Sequence, residues 1–201
     1  MTIELTATDL RTQALVFVGL KMRVDRDMLI EHLGGGEADA AISECLTSGL
    51  LREVAGGRLM LADDGKQERA AYYEAAQTAP WGPALRAQYD RFLPINARFL
   101  AWMNRWQVRD GVPNDHDDAD YDGGLLEELA TLHSEVDPIF ADFVADLPRL
   151  SCFRGTLAHA HEQIRNGDSH YVGNPRILSY HQTWFELHQD LMDSLGIARS
   201  E

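Results

Sequence analysis

The sequence predicts a mostly α-helical protein that carries one two-stranded hairpin and divides into two domains, residues 1–79 and 80–201. Three observations predict this class. Apolar residues recur at helical spacing along most of the 201 residues. Only the segments 50–54 and 58–62 alternate as strands, and glycines between them allow a tight turn. Trp81-Gly82-Pro83 marks the domain junction, and no strand pattern is evident beyond it.

The first domain has helices bounded by capping residues and glycines. Asp25 can accept hydrogen bonds from the free N–H groups that begin a helix, and Gly49 permits the left-handed backbone that ends one. The predicted helices are 9–22, 26–33, 37–48 and one that begins at Asp63. Three helices followed by a hairpin, the wing, predict a winged-helix domain.

The second domain is predicted to be an antiparallel helical bundle of four or five helices. Two long apolar stripes are interrupted by Pro94 and Pro138. Proline lacks a backbone N–H and disfavours helical geometry in the residue before it. We therefore expect a kink or two abutting helices at Pro94, and a new helix capped by Asp137 at Pro138. The segments 150–165 and 177–195 complete the set.

The hairpin strands LLREV and RLMLA, with Leu46-Thr47-Ser48-Gly49 before them and LADDGKQ after them, resemble the MarR-type winged-helix family over about residues 8–75. In that family the third helix enters the major groove of DNA and the wing touches the backbone. The resemblance implies groove-facing positions near Glu37 and Glu44. The candidate DNA-binding residues are Ala40, Ser43, Thr47, Arg52 and Arg58.

The charge of the third helix opposes that function. It carries Glu37, Asp39 and Glu44 and no lysine or arginine, in a chain of net charge −14. Cations that neutralise phosphates supply most non-specific DNA affinity, so nucleic-acid binding is disfavoured. Binding to an anionic membrane surface requires the same cations, so we expect no membrane partner. The alternative is a winged helix used for contact with a protein partner or for self-association.

Three phrases in the second half carry a further resemblance: FLPINARFLAWMNRWQ, PNDHDDADYD and SYHQTWFELHQDL. They are similar to the helical region that follows a winged helix in some actinobacterial proteins, which stand alone or are joined to enzymes that use phosphoenolpyruvate. The resemblance implies an architecture and no chemistry.

The acidic loop 114–123 resembles the start of a calcium site. Asp118, Asp120 and Asp122 alternate and are followed by a glycine, as in loops that surround calcium with oxygen ligands. The closing acidic ligand would be residue 129, which is Leu129. We therefore expect no high-affinity calcium site, and expect Asp120 or Asp122 to cap the next helix instead.

Aromatic and imidazole side chains in the second half form the candidate ligand pocket. His181, Trp184 and His188 lie on one helical face. Buried indole and imidazole N–H groups need partners, so we expect an interior polar pocket or a hydrogen-bond network that includes an Asp, Glu or Asn of another helix. The full candidate set is His181, Trp184, His188, His133 and Trp106.

Three functional hypotheses follow. The leading one is a non-enzymatic cytoplasmic regulatory protein whose helical domain binds a small ligand, without a cofactor. A DNA-binding transcriptional regulator is the alternative, and a metal-dependent enzyme using the histidines is the third. Cys45 and Cys152 form no metal-binding spacing, which favours buried, inert thiols in a reducing compartment.

Overall fold

A computed structural model describes residues 10–198 of the chain. The mostly helical class is confirmed, with small antiparallel sheets. The predicted start at Asp9 lies outside the described residues. Within those residues no helix is both long and apolar enough to cross a membrane. The helices are α1 (Leu10–Lys21), α2 (Arg26–His32), α3 (Ala38–Thr47), α4 (Asp63–Ala76), α5 (Gly82–Gln107), α6 (Ala119–Asp146), α7 (Ser151–Arg165), α8 (His170–Gly173) and α9 (Tyr180–Leu195), with a 3₁₀ turn at Pro148–Leu150.

The first sheet contains the predicted hairpin and one further strand. Strands β2 (Leu51–Val54) and β3 (Arg58–Leu61) pair antiparallel, and β1 (Val24–Asp25) pairs with the other edge of β3. The strand order is therefore β1-β3-β2. Leu59, at the centre of the sheet, is buried beside Val24. A strand of two residues is too short to leave an alternating pattern, so β1 was not predicted.

The prediction that the second half lacks strands is wrong. Strands β4 (Val108–Arg109) and β5 (Val112–Pro113) form a small hairpin. Its turn residues Asp110 and Gly111 both have positive φ, at 51° and 82°. This conformation is typical of the two-residue hairpin turn that Asp-Gly favours, so the dipeptide was the available signal.

The predictions of two abutting helices at Pro94 and of a new helix at Pro138 are also wrong. Pro94 lies within the continuous helix α5, and Pro138 lies within α6. Both prolines are exposed, so the carbonyl group that each leaves without an N–H partner can be hydrated. Asp137 does not cap a new helix but pairs with Arg154 of α7 at 2.8 Å. The cap of α6 is Asp118, not Asp120 or Asp122.

One buried apolar cluster extends through both halves of the chain. It joins Phe17 of α1 and Ile42 of α3 to Phe92 of α5 and Phe153 of α7. Polar links cross the same boundary. Lys21 of α1, for example, pairs with the buried carboxylate of Glu186 of α9 at 2.7 Å. The division into two domains at residue 79 stays a prediction, and the two segments share one core.

Gly65 permits the close approach of α4 to the residue that precedes β2. A Cβ atom at this position would lie 2.1 Å from the carbonyl oxygen of Leu50. We expect Gly65→Ala to lower the free energy of unfolding by about 1–3 kcal/mol, since a rigid backbone atom would have to move. Urea unfolding measures the change.

Gly124→Ala in α6 is the control, because no atom outside its own helix and chain neighbours lies within 4 Å of a Cβ there. Replacing glycine by alanine within a helix stabilises by about 1 kcal/mol, so the control should have the opposite sign. Equal effects of the two substitutions would contradict the steric explanation.

Candidate functional site: a cleft between α1, α2 and α7

A cleft of about 530 Å³ lies between the two halves of the chain. Its first wall is the start of α1 and the segment 31–34 at the end of α2. Its second wall is the first part of α7, and Leu178 closes one side. Clefts of this size with an apolar lining and a few polar groups are the usual form of small-molecule sites.

His32 is the most unusual residue of the lining. Its ring stacks on Phe17, with centroids 3.7 Å apart, and contacts the edge of Phe153 at 4.8 Å. The side chain is almost fully buried, and Nε2 has no hydrogen-bond partner. Burial, together with the positive charge of Lys21, lowers the pKa of His32 to about 3. The imidazole is therefore neutral at physiological pH, and it leaves a buried polar atom unsatisfied.

The opposite wall supplies a hydroxyl and a thiol, both at the start of α7. The Thr156 hydroxyl donates to the Cys152 carbonyl oxygen at 2.9 Å, and the Thr156 oxygen lies 3.5 Å from Nδ1 of His32. The Cys152 thiol donates to the Arg149 carbonyl oxygen at 3.0 Å. Burial raises the pKa of Cys152 to about 12, so the group stays a thiol and is a poor nucleophile.

The predicted pocket residues of α9 lie in a different place. Trp184 is buried and donates from Nε1 to Asn96 of α5 at 2.9 Å. His188 lies 2.9 Å from the Tyr89 hydroxyl, also of α5. His181 is half-buried beside Phe99, and burial lowers its pKa. The expected partner from another helix is thus present at Trp184 as Asn96. A ligand-binding role for these three residues stays a prediction.

The other two candidates reach that network through other aromatic rings, since Tyr180 stacks on Trp184 with centroids 5.9 Å apart. His133 of α6 approaches the hydroxyl of buried Tyr180 at 3.0 Å, and its ring stacks on His161 with centroids 4.0 Å apart. Burial lowers the pKa of both histidines, to about 4 for His161. Trp106 is buried and stacks on Trp102 within α5. Trp102 in turn stacks on Phe99, which stacks on Trp184. Aromatic contacts therefore connect the candidate residues, and their role in binding a ligand stays a prediction.

The carboxylates of the acidic loop have different partners and do not converge on one point. Asp118 accepts from the Tyr121 backbone N–H at 3.0 Å and pairs with Arg109 at 2.9 Å. Asp122 binds the His116 imidazole at 2.8 Å, whereas Asp120 is exposed in the first turn of α6. Within residues 10–198, no group of three or more His, Cys, Asp or Glu side chains is placed to hold a metal ion.

The candidate DNA-binding residues are all exposed, but neighbouring cations are bound to carboxylates. On α3, Ser43 accepts from Arg26 at 2.7 Å, and Arg26 also pairs with Asp39. On the sheet, Arg58 lies 3.4 Å from Asp25. The exposed candidates are Ala40, Ser43 and Thr47 on α3, Arg52 on β2 and Arg58 on β3.

A buried ion pair was not predicted from the sequence. Arg149, in the 3₁₀ turn before α7, binds Asp190 of α9, and both side chains are almost fully buried. Tyr73 of α4 donates to Asp190 at 2.7 Å, and Arg149 also donates to Tyr72. The one local signal was a lone arginine between apolar residues in LPRLSCF. Its partner lies 41 positions away, and nothing local indicates that distance.

Comparisons of the chain with protein-family models, with curated proteins and with solved structures find no match. Functional inference for this chain therefore depends on its own geometry and chemistry.

Proposed function

We propose that this chain is a non-enzymatic regulatory protein that binds a small ligand in the cleft between α1, α2 and α7. The observation that carries the proposal is His32, a buried side chain of the lining whose Nε2 has no hydrogen-bond partner. An unsatisfied buried polar atom costs about 1–3 kcal/mol, and a cost of this kind retained in the wall of a cleft is typical of a functional site.

The position of the cleft supports a regulatory role. One wall belongs to the first 79 residues and the other to the helices after residue 80. A ligand that contacts both walls favours the arrangement in which they are close, and so shifts the population of conformations. The wall segment 31–34 also precedes α3 by only a few residues. A conformational change of this segment therefore moves α3 and its exposed face.

We further propose that residues α1 to β3 are a winged helix that contacts a protein partner. The order α1-β1-α2-α3-β2-β3 and the three-stranded sheet support the winged helix. The exposed carboxylates of α3 and the pairing of Arg26 with Asp39 support a protein partner over DNA. The helices that follow form the predicted bundle in this proposal.

The chemistry of the cleft supports binding over catalysis. A general base works best when its pKa lies near the working pH. The pKa of His32 is displaced to about 3 and that of Cys152 to about 12, so both groups are neutral and poorly suited to proton transfer near pH 7.

Filling the cleft tests the proposal. Gly155 of α7 belongs to the lining, and no atom outside its own helix and chain neighbours lies within 4 Å of a Cβ at that position. We expect Gly155→Leu to keep or increase stability, because glycine is a poor helix former, while its side chain occupies the cleft. Compounds selected because they raise the melting temperature of the wild type should lose that effect on the variant.

Gly124→Leu is the matched control. Gly124 is also a helical glycine with open space around a Cβ, but it lies in α6 outside the cleft lining. This variant should respond to the selected compounds as the wild type does. If Gly155→Leu also retains the response, the compounds bind elsewhere and the proposed site is wrong.

DNA binding is the competing function, and it has its own test. We expect fluorescence anisotropy to detect no sub-micromolar binding of duplex DNA, including the upstream region of the gene, at physiological salt. The reason is the acidic face of α3, which repels phosphates. Tight binding that weakens steeply with salt, and that Arg52→Ala and Arg58→Ala reduce, would favour the DNA-binding regulator instead.

A further inference from the structure

We infer that two copies of this chain associate through an exposed face of α5, with the two α5 helices antiparallel and Ala97 of one copy opposite Ala97 of the other. This association is independent of the proposed ligand, because the described lining of the cleft contains no residue of α5. Three features of α5 lead to it: an exposed apolar stripe, the register in which that stripe fits itself, and the charges around it.

Helix α5 has apolar residues on two faces. One face is buried in the core and includes Phe92 and Phe99. A second face is exposed, yet it carries Leu93 and Leu100, which are seven residues apart and 38% and 52% exposed. Exposed apolar side chains at this spacing are typical of helices that pack against a further helix. We define the α5 stripe as the exposed residues Arg86, Ala87, Asp90, Leu93, Pro94, Ala97, Leu100, Ala101, Asn104, Gln107 and Val108.

The α5 stripe is complementary to itself in one antiparallel register. When Ala97 faces Ala97 of the second copy, Leu93 faces Ala101 and Leu100 faces Pro94. Each leucine is thus opposed by a smaller residue, and alanine at the centre lets the helix axes approach closely. This register pairs the whole length of the stripe, whereas a shift by one heptad leaves one end unpaired. The contact is isologous and closed, as in most homodimers.

A backbone group of the α5 stripe also finds a partner in this register. Pro94 has no N–H, so the carbonyl oxygen of Asp90 lacks the hydrogen bond that a helix normally gives it. Asn104 of the second copy faces Asp90. Helical side chains lean towards the N-terminus of their own helix, which in the antiparallel copy is the direction of this carbonyl group. The Asn104 amide can therefore donate to an acceptor that would otherwise lose its hydration when the stripe is covered.

The charges of this face permit self-association of an acidic chain. The chain has net charge −14, but the charged residues of the α5 stripe are Arg86 and Asp90, which have opposite signs. Arg86 faces Val108, two residues from the exposed carboxylate of Asp110, so attraction acts at both ends of the contact. Neighbouring arginines of α5 are paired within each copy with carboxylates of α6: Arg91–Asp142, Arg98–Glu135 and Arg105–Glu128. The face therefore neither repels a second copy nor carries the excess charge that would select a nucleic acid or a charged peptide.

Sedimentation velocity over a range of protein concentrations tests the association. We expect the wild type to convert from monomer to dimer as its concentration rises. Leu100→Glu should self-associate at least about tenfold more weakly, because two glutamates would then be covered by apolar surface. Met22→Glu is the matched control, since Met22 is 75% exposed, lies outside α5 and receives the same charge. It should dimerise as the wild type does, and circular dichroism should show both variants folded.

Cysteine substitutions test the register. Ala97→Cys should form a disulfide-linked dimer on mild oxidation, because residue 97 lies opposite itself on closely packed helices. Ala101→Cys is the control on the same stripe. Its two thiols would be separated by eight residues along the axis, roughly 12 Å, which is beyond the reach of a disulfide. The native thiols of Cys45 and Cys152 are buried and half-buried, so they do not compete.

The outcomes decide the inference directly. A wild type that stays monomeric up to about millimolar concentration would overturn the dimer, and the α5 stripe would then be covered by another molecule or by none. A dimer that Leu100→Glu leaves unchanged would place the interface on another surface. Disulfide formation by both cysteine variants would mean parallel helices, and formation by neither would mean another register; either result contradicts the inference.

Discussion

Asp190→Ala is expected to lower the free energy of unfolding by about 3–5 kcal/mol, because it leaves the buried Arg149 guanidinium without its counter-charge. Arg149 donates to both carboxylate oxygens of Asp190 and to the Ser194 hydroxyl at 2.9 Å. Tyr73 donates to the same carboxylate at 2.7 Å. The single substitution therefore removes the carboxylate that binds two buried groups, the Tyr73 hydroxyl of α4 and the Arg149 guanidinium before α7. Denaturant unfolding monitored by tryptophan fluorescence measures the change.

Asp193→Ala is the matched control on the same helix. Asp193 pairs with Arg69 of α4 at 3.0 Å, but both side chains are partly exposed. Exposed pairs contribute up to about 1 kcal/mol, so this loss should be several times smaller. The double replacement Arg149→Met with Asp190→Leu should recover much of the stability, since an apolar pair carries no desolvation cost. Equal losses for Asp190→Ala and Asp193→Ala would contradict the buried network.

Acidification is expected to destabilise the protein through His32, at a pH where most carboxylates are still ionised. The pKa of His32 is lowered from 6.5 to about 3 by burial and by Lys21. The unfolded chain therefore binds a proton below pH 6.5 that the folded chain does not bind. The stability from the neutral imidazole is fully present above pH 6.5, declines as the pH falls, and is lost by about pH 3. One pKa unit corresponds to 1.36 kcal/mol, so the loss at pH 4.5 is about 2–3 kcal/mol.

His32→Phe removes this titration and keeps a ring between Phe17 and Phe153. Its stability should fall less than that of the wild type between pH 6.5 and 4.5. His161, whose pKa is lowered to about 4, and His133 and His181, whose pKa values burial also lowers, add slopes that both proteins share. Parallel pH profiles for wild type and His32→Phe would show that His32 is accessible to protons in the folded protein.

Local signals in the sequence were sufficient for the regular elements. Gly49 and Asp25 bound helices close to the predicted positions, and the glycine-rich turn predicts the β2–β3 hairpin. The predicted capping hydrogen bond of Asp25 is wrong, because its side chain accepts none from α2 and faces Arg58 instead. Helix continuity through Pro94 and Pro138 was not predictable in the same way. Whether a proline interrupts a helix depends on which side of the helix faces solvent, and that is decided by packing of distant segments.

The candidate site could not be predicted from the sequence, because tertiary contacts bring its residues together. The polar character of α9 was predicted, and the Trp184–Asn96 hydrogen bond lies there. The cleft lies elsewhere, and its lining includes His32, Thr156 and Gln13, which are far apart in sequence. The available signal was a histidine at an inward position of the short helix α2, one turn from Leu29. Its stacking partners Phe17 and Phe153 come from other helices, so the pattern alone could not assign it a role.

The most direct measurement of the central claim is a map of where small molecules bind. A collection of neutral, cationic and anionic aromatic fragments is added to ¹⁵N-labelled protein with assigned amide resonances. The proposed function predicts that the strongest shifts cluster at Gln13, at residues 31–34 and at the start of α7, and that Gly155→Leu abolishes them. Shifts that cluster instead around Trp184 and His188 would place the ligand site at the α9 network. Shifts that appear at neither place would contradict a ligand-binding function for this chain.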